Sequence, residues 1–212
     1  MARFNFLFPQ ARAIIFDLGG VLFDIDYQLT QKAFEAIGLK SSTPLYSQAK
    51  QISLFDELET GRISPSEFRN EIRKLIPDKI LSDTQINEAW CAMLLGMPVE
   101  NFSLLLDLKK TYRTFLLSNT NVIHLEKVFA CLPQNFGIDS FDSFFEKAYY
   151  SSSIGLRKPN IEVFEFVLKE NNLNPRETVF IDDSIQHIEG AKRANLLTYH
   201  LTNGEKITDL FL

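Results

Sequence analysis

Three short apolar runs punctuate the chain, and each stops at a polar or acidic residue. Residues 13–16 end at Asp17, residues 114–117 at Ser118, and residues 178–181 at Asp182. Continuous apolar runs of this length suit strands buried on both faces of a parallel sheet. Residues 196–200 form a fourth candidate and residues 147–151 a weaker fifth. Between them lie helical periods. Residues 121–132 carry Val122, Leu125, Val128, Phe129 and Leu132 on one stripe. Residues 160–171 place Ile161, Phe164, Val167 and Leu168 together, and residues 184–194 space Ile185, Ile188 and Ala191 in the same way. Strand and helix alternate, which predicts an α/β fold, a Rossmann-like doubly wound parallel sheet.

Residues 27–110 break the alternation. They show helical periods and no convincing buried strand. Ser64-Pro65-Ser66-Glu67 reads as a helix start, with Ser64 as cap, Pro65 in the first turn and Glu67 closing a capping box. Phe68, Ile72, Leu75 and Ile76 then supply an apolar face. Asp83 reads as the cap of a helix through Ile86, Ala89, Trp90 and Met93, with Trp90 in its core. A stretch this long is too large for a loop. The expected organisation is a core of residues 12–26 and 111–205 with a helical insert at 27–110.

Composition narrows the class. Among 212 residues, 45% are hydrophobic and 19 are phenylalanine, enough for a sizeable core. The net charge of −5 disfavours nucleic acid as a partner. No apolar run is long enough to span a membrane. The start of the chain lacks the apolar stretch of a signal peptide. The two cysteines, Cys91 and Cys131, sit in no paired spacing. A cytoplasmic protein, monomeric or weakly dimeric, is expected.

Ligands of open α/β sheets bind beyond the carboxyl ends of the strands. There the chain places Asp17, Ser118-Asn119 and Asp182-Asp183. Clustered carboxylates repel unless a cation compensates, and oxygen ligands with retained waters suit Mg²⁺. A phosphate could sit between that metal and the Ser118-Asn119 corner, with Lys158 completing the charge balance. Taken singly, each piece has a bland reading: a helix cap, an ordinary loop, a solvated lysine.

Their order is more specific. Phe16-Asp17-Leu18-Gly19-Gly20-Val21-Leu22, then Leu116-Leu117-Ser118-Asn119, then Lys158-Pro159, then Phe180-Ile181-Asp182-Asp183 with Ile188-Glu189-Gly190-Ala191, resembles the haloacid dehalogenase-like hydrolase superfamily. The resemblance implies a phosphatase with Asp17 as nucleophile. It also implies a Mg²⁺ site made by Asp17, the Gly19 carbonyl and Asp183, with Asp182 acting behind it. The Ser118 hydroxyl and Asn119 amide would hold phosphate, and Lys158 would bridge nucleophile and phosphate. The insert resembles that family's cap. A small phosphorylated metabolite, sugar phosphate-like, is the implied partner, since the first motif is similar to that of bacterial sugar-1-phosphate phosphatases.

One position departs from the pattern. Phosphatases of the superfamily usually carry a second Asp two residues after the nucleophile, as leaving-group acid. Here it is Gly19. A substitute acid could be a water, a substrate hydroxyl, Asp24 or Asp26, although Leu22 to Asp26 also reads as a short exposed hairpin. A metal-free dehalogenase, a phosphomutase and a non-catalytic phospholigand binder stay open as alternatives. His187 reads as a capping or supporting contact, and Arg62, in a polar turn with Glu57 and Glu59, as an exposed arginine.

Overall fold

The computed structural model describes residues 1–40, 46–47, 50–51, 53–132, 140–202 and 204–212. All five expected strands form. They make one parallel sheet in the order Lys147–Tyr150, Arg113–Ser118, Ala13–Phe16, Thr178–Asp182, Leu197–His200. The chain starts in the middle, adds two strands on one side, then crosses to add two on the other. The reversal lies beside Ala13–Phe16, and it opens a crevice at the carboxyl ends of the strands.

Why these runs are apolar throughout is visible in the packing. Ile14, Phe16, Leu116, Val179 and Ile181 face one cluster, shared with Val128 and Leu210. Ala13, Ile15, Phe115, Leu117 and Phe180 face the other, shared with Val163, Phe164, Val167, Ile188 and Ala191. Both faces of the sheet are covered, so the three central strands run apolar through residues 13–16, 115–117 and 179–181 up to their carboxyl ends. That end is where the aspartates stand.

Residues 27–91 supply four helices, Tyr27–Ile37, Ser53–Glu59, Pro65–Leu75 and Asp83–Cys91. They gather around a third cluster with Phe34, Phe55, Phe68, Ile72, Ile86 and Trp90. Ser64 caps its helix as expected, with Glu67 completing the box. At the next helix the cap is Ser82 rather than Asp83, and Gln85 closes a second box. A serine hydroxyl can accept the N–H of Gln85 from the capping position, which leaves Asp83 in the first turn to pair with Arg69 and Arg73.

Two further differences from the sequence reading concern the joints. Asp24–Ile25 is not half of a local hairpin; it pairs antiparallel with Leu94–Gly96, some seventy residues on, and closes the insert at its base. Helix Val99–Leu108 lies within the stretch read as insert, yet its buried Phe102, Leu105 and Leu108 belong to a cluster of the sheet.

The insert rests on helix Val122–Ala130 through Trp90. The indole is fully buried. It stacks on His124 at 4.3 Å between ring centroids and meets Phe55 at 4.6 Å. The Trp90 carbonyl accepts from the Thr30 hydroxyl at 3.0 Å and pairs with His124 Nε2 at 3.1 Å. Gly61 brings the insert close to the sheet side. Its φ is +69°, and a Cβ there would collide with the Ser152 carbonyl. Truncating the keystone, Trp90→Ala, is expected to cost about 3–5 kcal/mol. Urea unfolding of variant and parent reads this directly; a shift under about 1 kcal/mol would contradict the packing described.

Candidate active site

The first strand delivers Asp17 to the crevice in fixed register, because its N–H bonds the Ile181 carbonyl at 2.9 Å. Lys158 meets it there. The ammonium is fully buried and reaches Asp17 Oδ1 at 2.6 Å and Asp182 Oδ2 at 2.8 Å. Burial alone would push Lys158 down, but the two carboxylates outweigh it and hold the ammonium above its ordinary value. Lys158 itself is gripped by its backbone. Asn119 Oδ1 accepts its N–H at 3.0 Å, and Asn119 Nδ2 donates to its carbonyl at 2.9 Å. The sequence suggested only a backbone use for Asn119; its side chain has this second task.

Asp182 has both oxygens engaged within the protein. Besides Lys158 they face the Ser184 N–H at 2.8 Å and His187 Nδ1 at 3.0 Å. Its burial would raise it, yet Lys158 and His187 together bring it below the usual carboxylate range. His187 is thus the supporting contact expected. Asp183 differs sharply. Burial, then Asp17 and Asp182, push it up to about 7. Asp17 is also raised, by burial first, with Lys158 only partly offsetting.

Asp183 is seated by two contacts that the sequence did not reveal. His200 Nε2 pairs with its carbonyl at 3.0 Å. Gly20, with φ +78°, leaves the room its carboxylate occupies, since a Cβ there would collide with it. The second glycine of the Gly19-Gly20 pair is therefore needed for the Asp183 carboxylate to take this position. Gly19 has a different neighbour: Ile25 Cδ1 lies 3.1 Å from where its Cβ would stand.

Oxygens of Asp17, Asp182 and Asp183 come within 4.8 Å of one another. One ammonium faces three carboxylates, so the cluster is short of positive charge. Asp182 is spent on Lys158, Ser184 and His187, and Asp17 and Asp183 present carboxylate oxygens of the kind that suits a hard divalent cation. The donor set fits Mg²⁺.

A cavity opens above this cluster, between the sheet ends and the insert. Ser118, Asn119 and His124 border it on the sheet side, and Tyr27 and Glu59 on the insert side. Arg157 spans the gap, paired with Asp56 and, at 3.3 Å, with Glu59. Arg157, Tyr27 and His124 escaped the sequence reading; the one available signal was that Arg157 adjoins Lys158. Asp24 and Asp26 do not reach the cavity. Asp24 is exposed on an outer groove, and Asp26 caps helix Tyr27–Ile37 through the Gln28 N–H at 2.9 Å. Arg62 is exposed outside it.

A parallel α/β sheet with acidic strand ends and an inserted helical layer defines a class of hydrolase, and the sequence comparison agrees. The haloacid dehalogenase-like hydrolase family matches residues 11–195, and the chain belongs to it. It is 32% identical to the D-ribitol-5-phosphate phosphatase of Bacteroides thetaiotaomicron, over 90% of this chain and 92% of that one. A crystal structure of a family enzyme from Bacteroides thetaiotaomicron, complexed with magnesium and inorganic phosphate, superposes with a TM-score of 0.82. That enzyme is 33% identical, with 95% of this chain and all of the other covered. The L-2-haloacid dehalogenase of Xanthobacter autotrophicus shares the fold at a TM-score of 0.58 and 16% identity, with 90% and 77% covered.

The raised carboxyls set a pH dependence for the metal-free protein. Asp183 titrates near 7 when folded and near ~3.9 when unfolded, so between those values the folded state binds more protons. Stability from this group is present below about pH 4 and lost as pH rises through 7. Asp17 acts in the same direction, whereas Asp182, being lowered, acts only in more acid solution. Added Mg²⁺ removes the repulsion that burdens the high-pH form. Its increment in melting temperature over EDTA-treated protein is expected to grow from pH 5 to pH 8. Equal increments at both would contradict the cluster's charge balance.

Proposed function

We propose that the chain is a Mg²⁺-dependent phosphomonoester hydrolase for a small phosphorylated polyol or sugar, acting through an aspartyl phosphate on Asp17. The observation that carries it is the buried Lys158 joining Asp17 to Asp182, with the Asp183 carboxylate in the same cluster of oxygens within 4.8 Å of one another. Asp17 needs its attacking oxygen next to an anionic phosphate, and that approach is repulsive unless cations flank both. Lys158 is one, held rigid by Asn119. Bound Mg²⁺ would supply the other, neutralising charge between nucleophile and phosphate, with Asp17, Asp183 and the Gly19 carbonyl as its protein oxygens.

Within this reading the Ser118 hydroxyl and the Asn119 N–H orient the phosphoryl oxygens. Asp182 holds Lys158 and His187 in place without binding metal. The helical insert is a cap that covers the leaving group and excludes water. The likeness to a D-ribitol-5-phosphate phosphatase over nearly the whole chain supports a polyol or sugar phosphate as substrate.

Phosphate release from a panel of polyol, sugar, nucleotide and aryl phosphates, with Mg²⁺ and with EDTA, tests the reading. Turnover is expected only with metal, and Asp17→Asn should lower it on the order of 10³-fold or more. Retained activity in that variant, or none across the panel in the parent, would overturn it.

A further inference from the structure

The geometry points to Tyr27 as the group that protonates the leaving oxygen, in the role that Gly19 has no side chain to fill. This rests on the phosphatase reading above and adds a residue to it. The backbone supplies the first reason. Residues 24–26 run extended into helix Tyr27–Ile37, with Asp26 at φ −137° and ψ 102°. Extended backbone turns successive side chains to opposite sides. Ile25 and Tyr27 therefore share the cavity side, and both border the cavity that holds Asp17 and Asp183. Asp24 and Asp26, the neighbouring carboxylates, face away from it. Ile25 fills the space beside Gly19, so the next cavity-facing position, Tyr27, is where a donor can stand.

The other polar side chains bordering the cavity serve other parts of the site. Glu59 is paired with Arg157 at 3.3 Å. His124 Nε2 faces the Trp90 carbonyl, so its proton sits there, and burial holds the ring neutral with a pKa of about 4. His187 turns Nδ1 onto both oxygens of Asp182, which fixes its ring behind the carboxylate cluster. Asn119 donates to the Lys158 carbonyl. Ser118 stands on the sheet side, with the phosphoryl group. The Tyr27 ring packs against the insert's aromatic cluster and borders the cavity opposite Ser118 and Asn119 of the sheet. Burial and the surrounding carboxylates raise the phenol above its ordinary value, so it is protonated at any working pH.

The proton count closes over a full cycle. An Asp17 oxygen bonds to phosphorus as the bond from phosphorus to the ester oxygen breaks, and that oxygen takes the Tyr27 proton. The phenolate then takes a proton from the incoming water, whose oxygen bonds to phosphorus. The Asp17 ester bond breaks, and carboxylate, phenol and inorganic phosphate result.

Leaving-group dependence separates this from a structural role. Tyr27→Phe keeps the ring and removes the hydroxyl. It is expected to lower kcat on an alkyl ester such as a pentitol 5-phosphate by about 10²-fold or more. With p-nitrophenyl phosphate, whose leaving group needs no proton, the loss in kcat should be at least about tenfold smaller than on the alkyl ester. Equal losses on the two esters, or no loss on either, would overturn the assignment of Tyr27 while leaving the phosphatase reading intact. His187→Asn and Glu59→Gln measured on the same pair should show no such selectivity; a selective loss in either would move the role to that residue. A parent protein inactive on both esters would instead sink the phosphatase reading, and this one with it.

Discussion

A buried ammonium between two carboxylates is the constraint around which the carboxyl end of the sheet is organised. Lys158 has no exposed surface, and neither does Asp182. Taking such charges out of water costs several kcal/mol per ion, and only close, well-directed pairing offsets it. Each neighbouring feature keeps that pairing in register. Asn119 fixes the Lys158 backbone from both sides. Ser184 and His187 complete the hydrogen bonds of Asp182. The sheet itself fixes Asp17 through Ile181. Removing any one partner would strand a charge in a dry interior, so the cluster is best understood as a unit.

The unit is incomplete as the protein alone builds it. One lysine cannot balance three carboxylates, and the imbalance falls on Asp183 and Asp17 rather than on Asp182. That division has a cause: Asp182 receives Lys158, His187 and a backbone N–H, while at Asp183 burial and the neighbouring Asp17 and Asp182 outweigh the attraction of Lys158. The fold thus concentrates unfavourable charge at the two carboxylates that face the cavity. Strain of this kind at a site lowers stability and is sustained by the well-packed sheet beneath it. A cation and a phosphate together relieve it, which is the physical sense in which the site is prepared for its ligands.

Much of this was legible in the sequence, and the limits are instructive. The strands could be read because a sheet covered on both faces forces an unbroken apolar run, and the run ends where chemistry begins. Asp17, Ser118, Lys158 and Asp182-Asp183 could be read because each adjoins such an end or a helix start. Ser64 announced its helix through a local hydrogen-bond pattern. Ser82 did not displace Asp83, since both residues cap helices and only geometry decides between them. The pairing of Asp24–Ile25 with Leu94–Gly96 and the docking of Val99–Leu108 on the sheet depend on contacts far apart in the chain. Arg157, His124 and Tyr27 have the same origin. None adjoins a strand end, and each becomes part of the site only when the insert comes down on the core.

That closure depends on two adjacent residues pointing in opposite directions. Lys158 turns inward to the carboxylates of the sheet, and Arg157 turns outward to Asp56 and Glu59 of the insert. Because they are consecutive, the position of one limits the position of the other. Asn119 holds the shared backbone, so the insert is anchored to the same rigid point that sets the nucleophile's charge partner. Tyr27 enters from the opposite side, on a helix whose start is fixed by Asp26 and whose base is tied by the ribbon at Leu94–Gly96. The cavity is therefore bounded by two anchors, one ionic and one by backbone pairing. Between them the missing side chain at Gly19 leaves no void, because Ile25 occupies it.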